Sequence, residues 1–168
     1  MGKDRILLIG ANGQLGSELG VELQKLYGED NVIKTDLYKP LDLNLLNGIF
    51  HTLDVLDKNG LYEIVNRYQI TQIFHLAALL SAKCELKPKS SWNLNITGLL
   101  NVLDCVKELN IPKLFFPSSI AVFGNSSPKI NTPQKTIMEP STIYGMSKLS
   151  GELWCEYYHQ KFGIDVRS

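Results

Sequence analysis

The first part of the sequence constrains the fold more than any other stretch. Residues 5–10 form a short continuous apolar run, which is typical of a strand buried on both faces of a parallel sheet. Three glycines follow at a spacing of three, Gly10, Gly13 and Gly16. Leucines spaced by three and four from Leu15 onward then predict an amphipathic helix. A strand, a glycine turn and a helix in this order are typical of an α/β fold.

This glycine turn is suited to binding a pyrophosphate. Glycines let the backbone turn sharply and approach an anion, and a helix N-terminus offers free N–H groups and a positive dipole end. The spacing is G-x-x-G-x-x-G, a variant of the dinucleotide fingerprint. A turn that only packs the helix against the strand would carry the same glycines, so the motif alone leaves both interpretations open.

An acidic residue at the end of the next predicted strand favours dinucleotide binding. The strand-like run Asn31–Asp36 ends twenty residues after the last glycine of the turn, where a carboxylate accepts hydrogen bonds from the adenosine ribose. Leu37 and Tyr38 follow rather than an arginine, so a 2′-phosphate would be repelled and NAD is favoured over NADP. Lys39 is the nearest cation, and a simple strand-end turn is the alternative role for Asp36.

The rest of the chain continues the alternation of strands and helices. The predicted strands are residues 49–53, 72–76, 113–117 and one that begins at Ile164; the predicted helices are residues 61–68, 87–110 and 144–162. This pattern predicts a Rossmann-type, doubly wound parallel sheet with helices on both faces, in one domain over residues 1–168.

Several residues follow the predicted strands at the edge where such sheets bind ligands. Those after the third, fourth and fifth strands are Asp54 and Val55, Ala77 and Ala78, and Ser118 and Ser119. The two alanines permit either the close approach of a cofactor or tight packing. Each serine could either polarise a substrate oxygen or form a simple turn. His75 is expected to be a hydrogen-bonded core histidine. Asn95, inside a predicted helix, is unfavourable unless something uses its amide.

Tyr144 and Lys148 lie four residues apart at the start of the last predicted helix. Positions i and i+4 share one face of a helix, so the ammonium can lie near the phenol. A nearby positive charge favours a phenolate, and the pair is therefore a plausible general base. Such a pair is also common on solvated helix faces.

Taken together, these motifs resemble the extended short-chain dehydrogenase/reductase family, and within it the NAD-dependent L-threonine 3-dehydrogenases of the epimerase-like type. The resemblance covers the whole chain. The stretches that carry it are residues 75–82, 116–124, 131–134, 139–145, 157–158 and 162–168. Nucleotide-sugar epimerases and dehydratases share the general frame and are the alternative enzyme class; a non-catalytic NAD-binding fragment is the alternative outside enzymes.

The resemblance implies roles for individual residues. Tyr144 would take the proton from the threonine 3-hydroxyl, with NAD as hydride acceptor and 2-amino-3-oxobutyrate as product. Lys148 would stabilise the phenolate and bind the nicotinamide ribose, while Ser119 and Ser81 would contact the substrate. The cofactor positions would be Gly10, Gly13, Gln14, Leu15, Gly16, Asp36, Asp54, Val55, Leu76, Ala77, Ala78 and Asn95, together with Tyr144 and Lys148.

The chain is about half as long as a Rossmann core plus a substrate lobe. We therefore expect that the C-terminal substrate lobe is missing, and that this chain alone binds NAD weakly and oxidises little or no threonine. The resemblance also implies a homodimer formed through residues 88–109 and 147–162.

Composition excludes several other classes. Seventeen basic and seventeen acidic residues leave no net charge, so neither nucleic acid nor an anionic membrane is an expected partner. Cys84, Cys105 and Cys155 lack metal-ligand spacing and are expected to be reduced thiols, without a metal site. No apolar run approaches the ~20 residues of a membrane span, and the start of the chain offers no signal peptide. We expect a cytoplasmic protein.

Overall fold

Six parallel strands form one sheet in a computed structural model that describes residues 4–40 and 47–168. The strands are β1 (Ile6–Ile9), β2 (Val32–Asp36), β3 (Ile49–Thr52), β4 (Gln72–His75), β5 (Lys113–Phe115) and β6 (Asp165–Arg167). Their spatial order is β3-β2-β1-β4-β5-β6. The order reverses between β1 and β4, which is where sheets of this kind bind ligands.

Helices cover both faces of the sheet, as predicted. They are α1 (Gln14–Tyr27), α2 (Lys58–Tyr68), α3 (Ser81–Leu86), α4 (Pro88–Trp92), α5 (Gly98–Glu108) and α6 (Ile143–Phe162). Helices α2, α5 and α6 share one core with the sheet, whereas α1 packs on a second, smaller cluster that includes Ile6 and Val32. Right-handed crossovers explain this division, because the chain reverses direction across the sheet after β3. The Rossmann-type prediction is confirmed.

The strand cores follow from the apolar runs in the sequence. All four residues of β1 are at most 1% exposed, because helices cover this strand from both sides. Leu7 and Ile9 belong to the larger cluster, while Ile6 belongs to the smaller one. This alternation is the two-residue period of a strand.

Two elements of the structure differ from the prediction. The helix predicted over residues 87–110 is interrupted by a π-helix, Asn93–Thr97, between α4 and α5. A short helix that was not predicted, α3, begins at Ser81. Short 3-10 turns also form at Glu29–Asn31 and Ile120–Val122. π-helical turns occur frequently at functional sites.

Helix α6 begins and ends at clear local signals. The Thr142 hydroxyl caps its first turn by accepting a hydrogen bond of 3.0 Å from the Gly145 N–H. Gly163 ends the helix in the left-handed conformation, with a φ of +71°. In the described part of the chain no helix is long and apolar enough to cross a bilayer.

Candidate functional site

A crevice of about 390 Å³ opens at the carboxyl ends of β1, β2 and β4. Eight of the predicted cofactor residues line it: Gly10, Gly13, Asp36, Asp54, Val55, Leu76, Ala77 and Ala78. Its lining also includes residues that the sequence reasoning did not select, among them Asn12, Leu53, Leu79, Lys83 and Leu94. The crevice lies where the strand order reverses, so its place in the fold is that of a dinucleotide site.

The glycine turn at this crevice combines the two roles that the sequence left open, which are shaping a ligand site and packing the helix against the strand. Gly10 has a φ of +89°, and a Cβ there would lie 2.6 Å from the Ala77 backbone nitrogen. Gly16 lies outside the crevice lining, and a side chain there would overlap the Gly10 carbonyl oxygen. Gly10 and Gly13 therefore shape the crevice, whereas Gly16 lets α1 pack closely against β1.

The N-terminus of α1 is open toward an anion. Its N-cap residue is Gly13, and no described side chain caps the first turn. Gln14 and Leu15 are exposed at this end and lie outside the crevice lining, so the structure does not bring their side chains to the site. A helix of fourteen residues with uncapped N–H groups suits a pyrophosphate.

The Asp36 carboxylate is fixed by two backbone N–H groups. Its Oδ2 accepts a hydrogen bond of 2.9 Å from Asn12, and its Oδ1 accepts one of 2.8 Å from Leu37. Each oxygen keeps further acceptor capacity. The carboxylate is therefore held at the crevice in a position to accept hydrogen bonds from ribose hydroxyls, and these residues fit a dinucleotide.

Lys148 and Tyr144 lie on one face of α6 as predicted. The Lys148 Nζ is 5.7 Å from the centre of the Tyr144 ring and donates a hydrogen bond of 2.8 Å to the Pro117 carbonyl oxygen. It also lies 4.4 Å from the centre of the Phe116 ring. Burial lowers the pKa of Lys148 to about 8, partly opposed by the Cys155 thiol. The lysine is thus a buried cation beside the phenol and not part of a solvated helix face.

Ser119 lies in the segment that packs against the start of α6. Its Oγ accepts a hydrogen bond of 3.2 Å from the Ala121 N–H, which leaves its hydroxyl hydrogen available. Gly145 packs so closely on the Ala121 carbonyl that a side chain would overlap it. The neighbouring Ser118 instead donates a hydrogen bond to the Glu152 carboxylate. The packing therefore brings the segments of Ser119 and Tyr144 together, while Ser118 is engaged in joining β5 to α6.

His75 is a core residue, but the expectation that its nitrogens are hydrogen-bonded is wrong. The ring is 1% exposed and stacks on Phe116 with 6.0 Å between centroids. Neither nitrogen has a hydrogen-bond partner among the described residues. Burial, and secondarily the Lys148 charge, lowers the pKa of His75 to about 3. The imidazole is therefore neutral beside Lys148.

Asn95 is buried and does not line the crevice, but it bonds to Leu79, which does. Its Oδ1 accepts a hydrogen bond of 2.8 Å from the Leu79 N–H, and its Nδ2 donates one of 3.2 Å to the Leu79 carbonyl. The same Nδ2 lies 3.1 Å from the Ser147 hydroxyl, which donates to the Tyr144 carbonyl at 2.8 Å. Its amide therefore holds the backbone of Leu79, and the predicted contact of Asn95 with the cofactor stays a prediction.

Ser81 is exposed at the start of α3 and lies outside the crevice lining. Among the described residues, no group of three or more metal-ligating side chains could hold a metal ion. The three cysteines are free and buried. Of the residues missed from the sequence, Asn12 lies inside the glycine turn and Lys83 lies two positions after Ser81.

The sheet order, the glycine turn and Asp36 define a Rossmann-type dinucleotide-binding domain that carries a Tyr–Lys pair. Comparison of the sequence with known families agrees: the NAD dependent epimerase/dehydratase family matches residues 6–168. The chain belongs to this family, which is part of the extended short-chain dehydrogenases/reductases.

Relatives extend well beyond the matched part. An uncharacterised epimerase/dehydratase of Staphylococcus aureus (strain USA300) is 46% identical, over 98% of this chain and 51% of its own length. The structure of an L-threonine dehydrogenase from Clostridium difficile is 51% identical with a TM-score of 0.94, over 98% of this chain and 52% of that one. A GalE-like L-threonine dehydrogenase from Cupriavidus necator, in its holo form, is 47% identical with a TM-score of 0.94 and coverages of 98% and 53%. The chain spans about half the length of these relatives.

Proposed function

We propose that this chain supplies the NAD-binding and proton-accepting part of an L-threonine 3-dehydrogenase. The observation that carries the proposal is the buried Lys148 ammonium beside Tyr144, in the same fold as a dinucleotide crevice that holds Asp36. The similarity to two proteins described as L-threonine dehydrogenases supports the choice of substrate. The product would be 2-amino-3-oxobutyrate.

Each residue has a defined task in this reaction. NAD, when bound, supplies the hydride acceptor for C3 of the substrate. Lys148 stabilises Tyr144 as a phenolate and binds the nicotinamide ribose. The phenolate accepts the proton of the 3-hydroxyl while the hydride leaves C3, so that the C3–O bond becomes a carbonyl. Ser119 donates its hydroxyl hydrogen to the reacting oxygen, and Ser81 contacts the substrate.

The cofactor half of the proposal rests on the crevice. Gly10 and Gly13 let the backbone approach a pyrophosphate, and the Asp36 carboxylate accepts hydrogen bonds from the adenosine ribose. The same carboxylate would repel a 2′-phosphate, so we propose NAD and not NADP as the cofactor.

We also propose that two copies of the protein pair through α6. An exposed groove on this helix is lined by Ser150, Leu153, Trp154 and Tyr157. Leu153 is 59% and Tyr157 48% exposed, and apolar side chains grouped in this way are typical of interaction surfaces. Sedimentation equilibrium tests this assignment: a monomer at all concentrations would contradict it.

Binding and turnover are tested separately. Calorimetric titration of the 168-residue chain with NAD should show weak binding, and NADH absorbance with L-threonine should show little or no turnover. A chimera that joins this chain to the remaining half of the C. difficile relative should oxidise threonine.

Tyr144→Phe in the chimera should abolish oxidation while leaving NAD binding intact. Turnover of a UDP-sugar by the chimera without threonine turnover would favour the epimerase class instead. Rapid threonine oxidation by the 168-residue chain alone would contradict the expected low turnover.

A further inference from the structure

The crevice contains more negative than positive charge. Asp36 and Asp54 line it, and Lys83 is the one cationic side chain among the described lining residues. Lys83 forms no ion pair with any described residue. A dinucleotide brings two further negative charges on its pyrophosphate. Placing them near two carboxylates is unfavourable unless a cation lies close by.

The two residues that follow Lys83 anchor helix α3. The Cys84 thiol is fully buried and donates a hydrogen bond of 3.1 Å to the Leu79 carbonyl. The Glu85 carboxylate accepts a hydrogen bond of 2.8 Å from the Ile143 N–H, at the first residue of α6. Hydrogen bonds of Cys84 and Glu85 therefore hold the helix that carries Lys83. The Lys83 ammonium itself has no ion-pair partner among the described residues and is available to a ligand.

The glycine turn alone offers an anion only partial charges. Backbone N–H groups and the end of a helix dipole amount to roughly half an elementary charge, whereas a lysine supplies a full one. We propose that Lys83 is the counter-ion of the dinucleotide pyrophosphate, across the crevice from the Gly10–Gly13 turn. This inference rests on the proposed function and adds a binding residue that lies outside the glycine motif and the Tyr–Lys pair.

Titration of single variants with ligands of different charge tests the assignment. Lys83→Met keeps the apolar stem and removes the ammonium, and it should weaken NAD and ADP-ribose binding about tenfold. Adenosine has no phosphate, so its affinity should be unchanged. Lys83→Arg keeps the positive charge, so it should bind NAD with the affinity of the unaltered chain. The NAD affinity of Lys83→Met should depend less on salt concentration than that of the unaltered chain.

Lys87→Met is the matched control, because it removes the same charge four residues further along at an exposed position outside the lining. Its NAD affinity should stay within about twofold of the unaltered chain. Equal weakening by both variants, unchanged NAD affinity of Lys83→Met, or an equal loss of adenosine binding would each overturn the inference. Absence of NAD binding by the unaltered chain would instead overturn the proposed function, and this inference with it.

Discussion

Replacing Lys148 by methionine should stabilise the fold. Lys148 is 5% exposed, and burial lowers its pKa from the ordinary value of 10.5 to about 8. The difference between these values corresponds to about 3 kcal/mol of folding free energy that the charged side chain costs below pH 8. Loss of the hydrogen bond to Pro117 and of the contact with Phe116 offsets part of this gain. We therefore expect Lys148→Met to unfold with a free energy about 1–3 kcal/mol higher at pH 7.

The pH dependence of stability has a defined sign. The pKa of Lys148 is lower in the folded chain than in the unfolded chain. The unfolded chain therefore binds the proton more tightly, so raising the pH favours the folded state. This contribution begins near pH 8 and continues toward pH 10.5. The difference in unfolding free energy between Lys148→Met and the unaltered chain should therefore narrow by about 1 kcal/mol between pH 7 and pH 9.

Urea denaturation followed by tryptophan fluorescence measures both effects. Lys161→Met is the control, because it removes the same charge from an exposed position in the last turn of α6. A Lys148→Met variant that is less stable than the unaltered chain at pH 7 would refute the assigned cost of burial. A stability difference that does not change with pH would refute the lowered pKa as its origin.

Three further variants test the crevice. Gly10→Ala combines a φ of +89° with a Cβ 2.6 Å from the Ala77 nitrogen. The variant should lower the free energy of unfolding by about 2–4 kcal/mol and abolish NAD binding. Thermal unfolding measures the first effect and titration with NAD the second. Asn95→Ala removes both hydrogen bonds to Leu79; it should cost about 1–3 kcal/mol and accelerate hydrogen exchange at the Leu79 amide. Asp36→Ala removes the carboxylate that repels a 2′-phosphate, so the ratio of NADP to NAD dissociation constants should fall about tenfold. Unchanged hydrogen exchange at the Leu79 amide would contradict the role assigned to Asn95. An unchanged ratio of NADP to NAD dissociation constants would contradict the role assigned to Asp36.

The sequence predicted those parts of the fold that depend on local patterns. The apolar run before Gly10 is a buried strand because its residues meet helices on both sides of the sheet. Asp36 reaches the crevice because it ends a strand adjacent to β1, and parallel strands end at one edge. The spacing of Tyr144 and Lys148 fixes their common face through helix geometry alone.

The parts that were missed depend on contacts distant in sequence. Asn95 lies in the π-helical turn and bonds to Leu79, sixteen residues earlier. No local pattern specifies this partner. Lys83 reaches the crevice because α3 is held by Glu85 against the start of α6, fifty-eight residues later. The unpaired nitrogens of His75 likewise depend on which side chains the fold places around it.

The link through Asn95 also explains how the two halves of the proposed site are held together. Hydrogen bonds run from Leu79 at the crevice through Asn95 and Ser147 to the backbone of Tyr144. Asn95 and Ser147 are both at most 5% exposed, so these hydrogen bonds lie away from bulk solvent. A buried network at a π-helical turn therefore connects the crevice lining to the start of α6. The i, i+4 spacing places Lys148 beside Tyr144, and this network links the backbone of Tyr144 to Leu79 in the crevice lining.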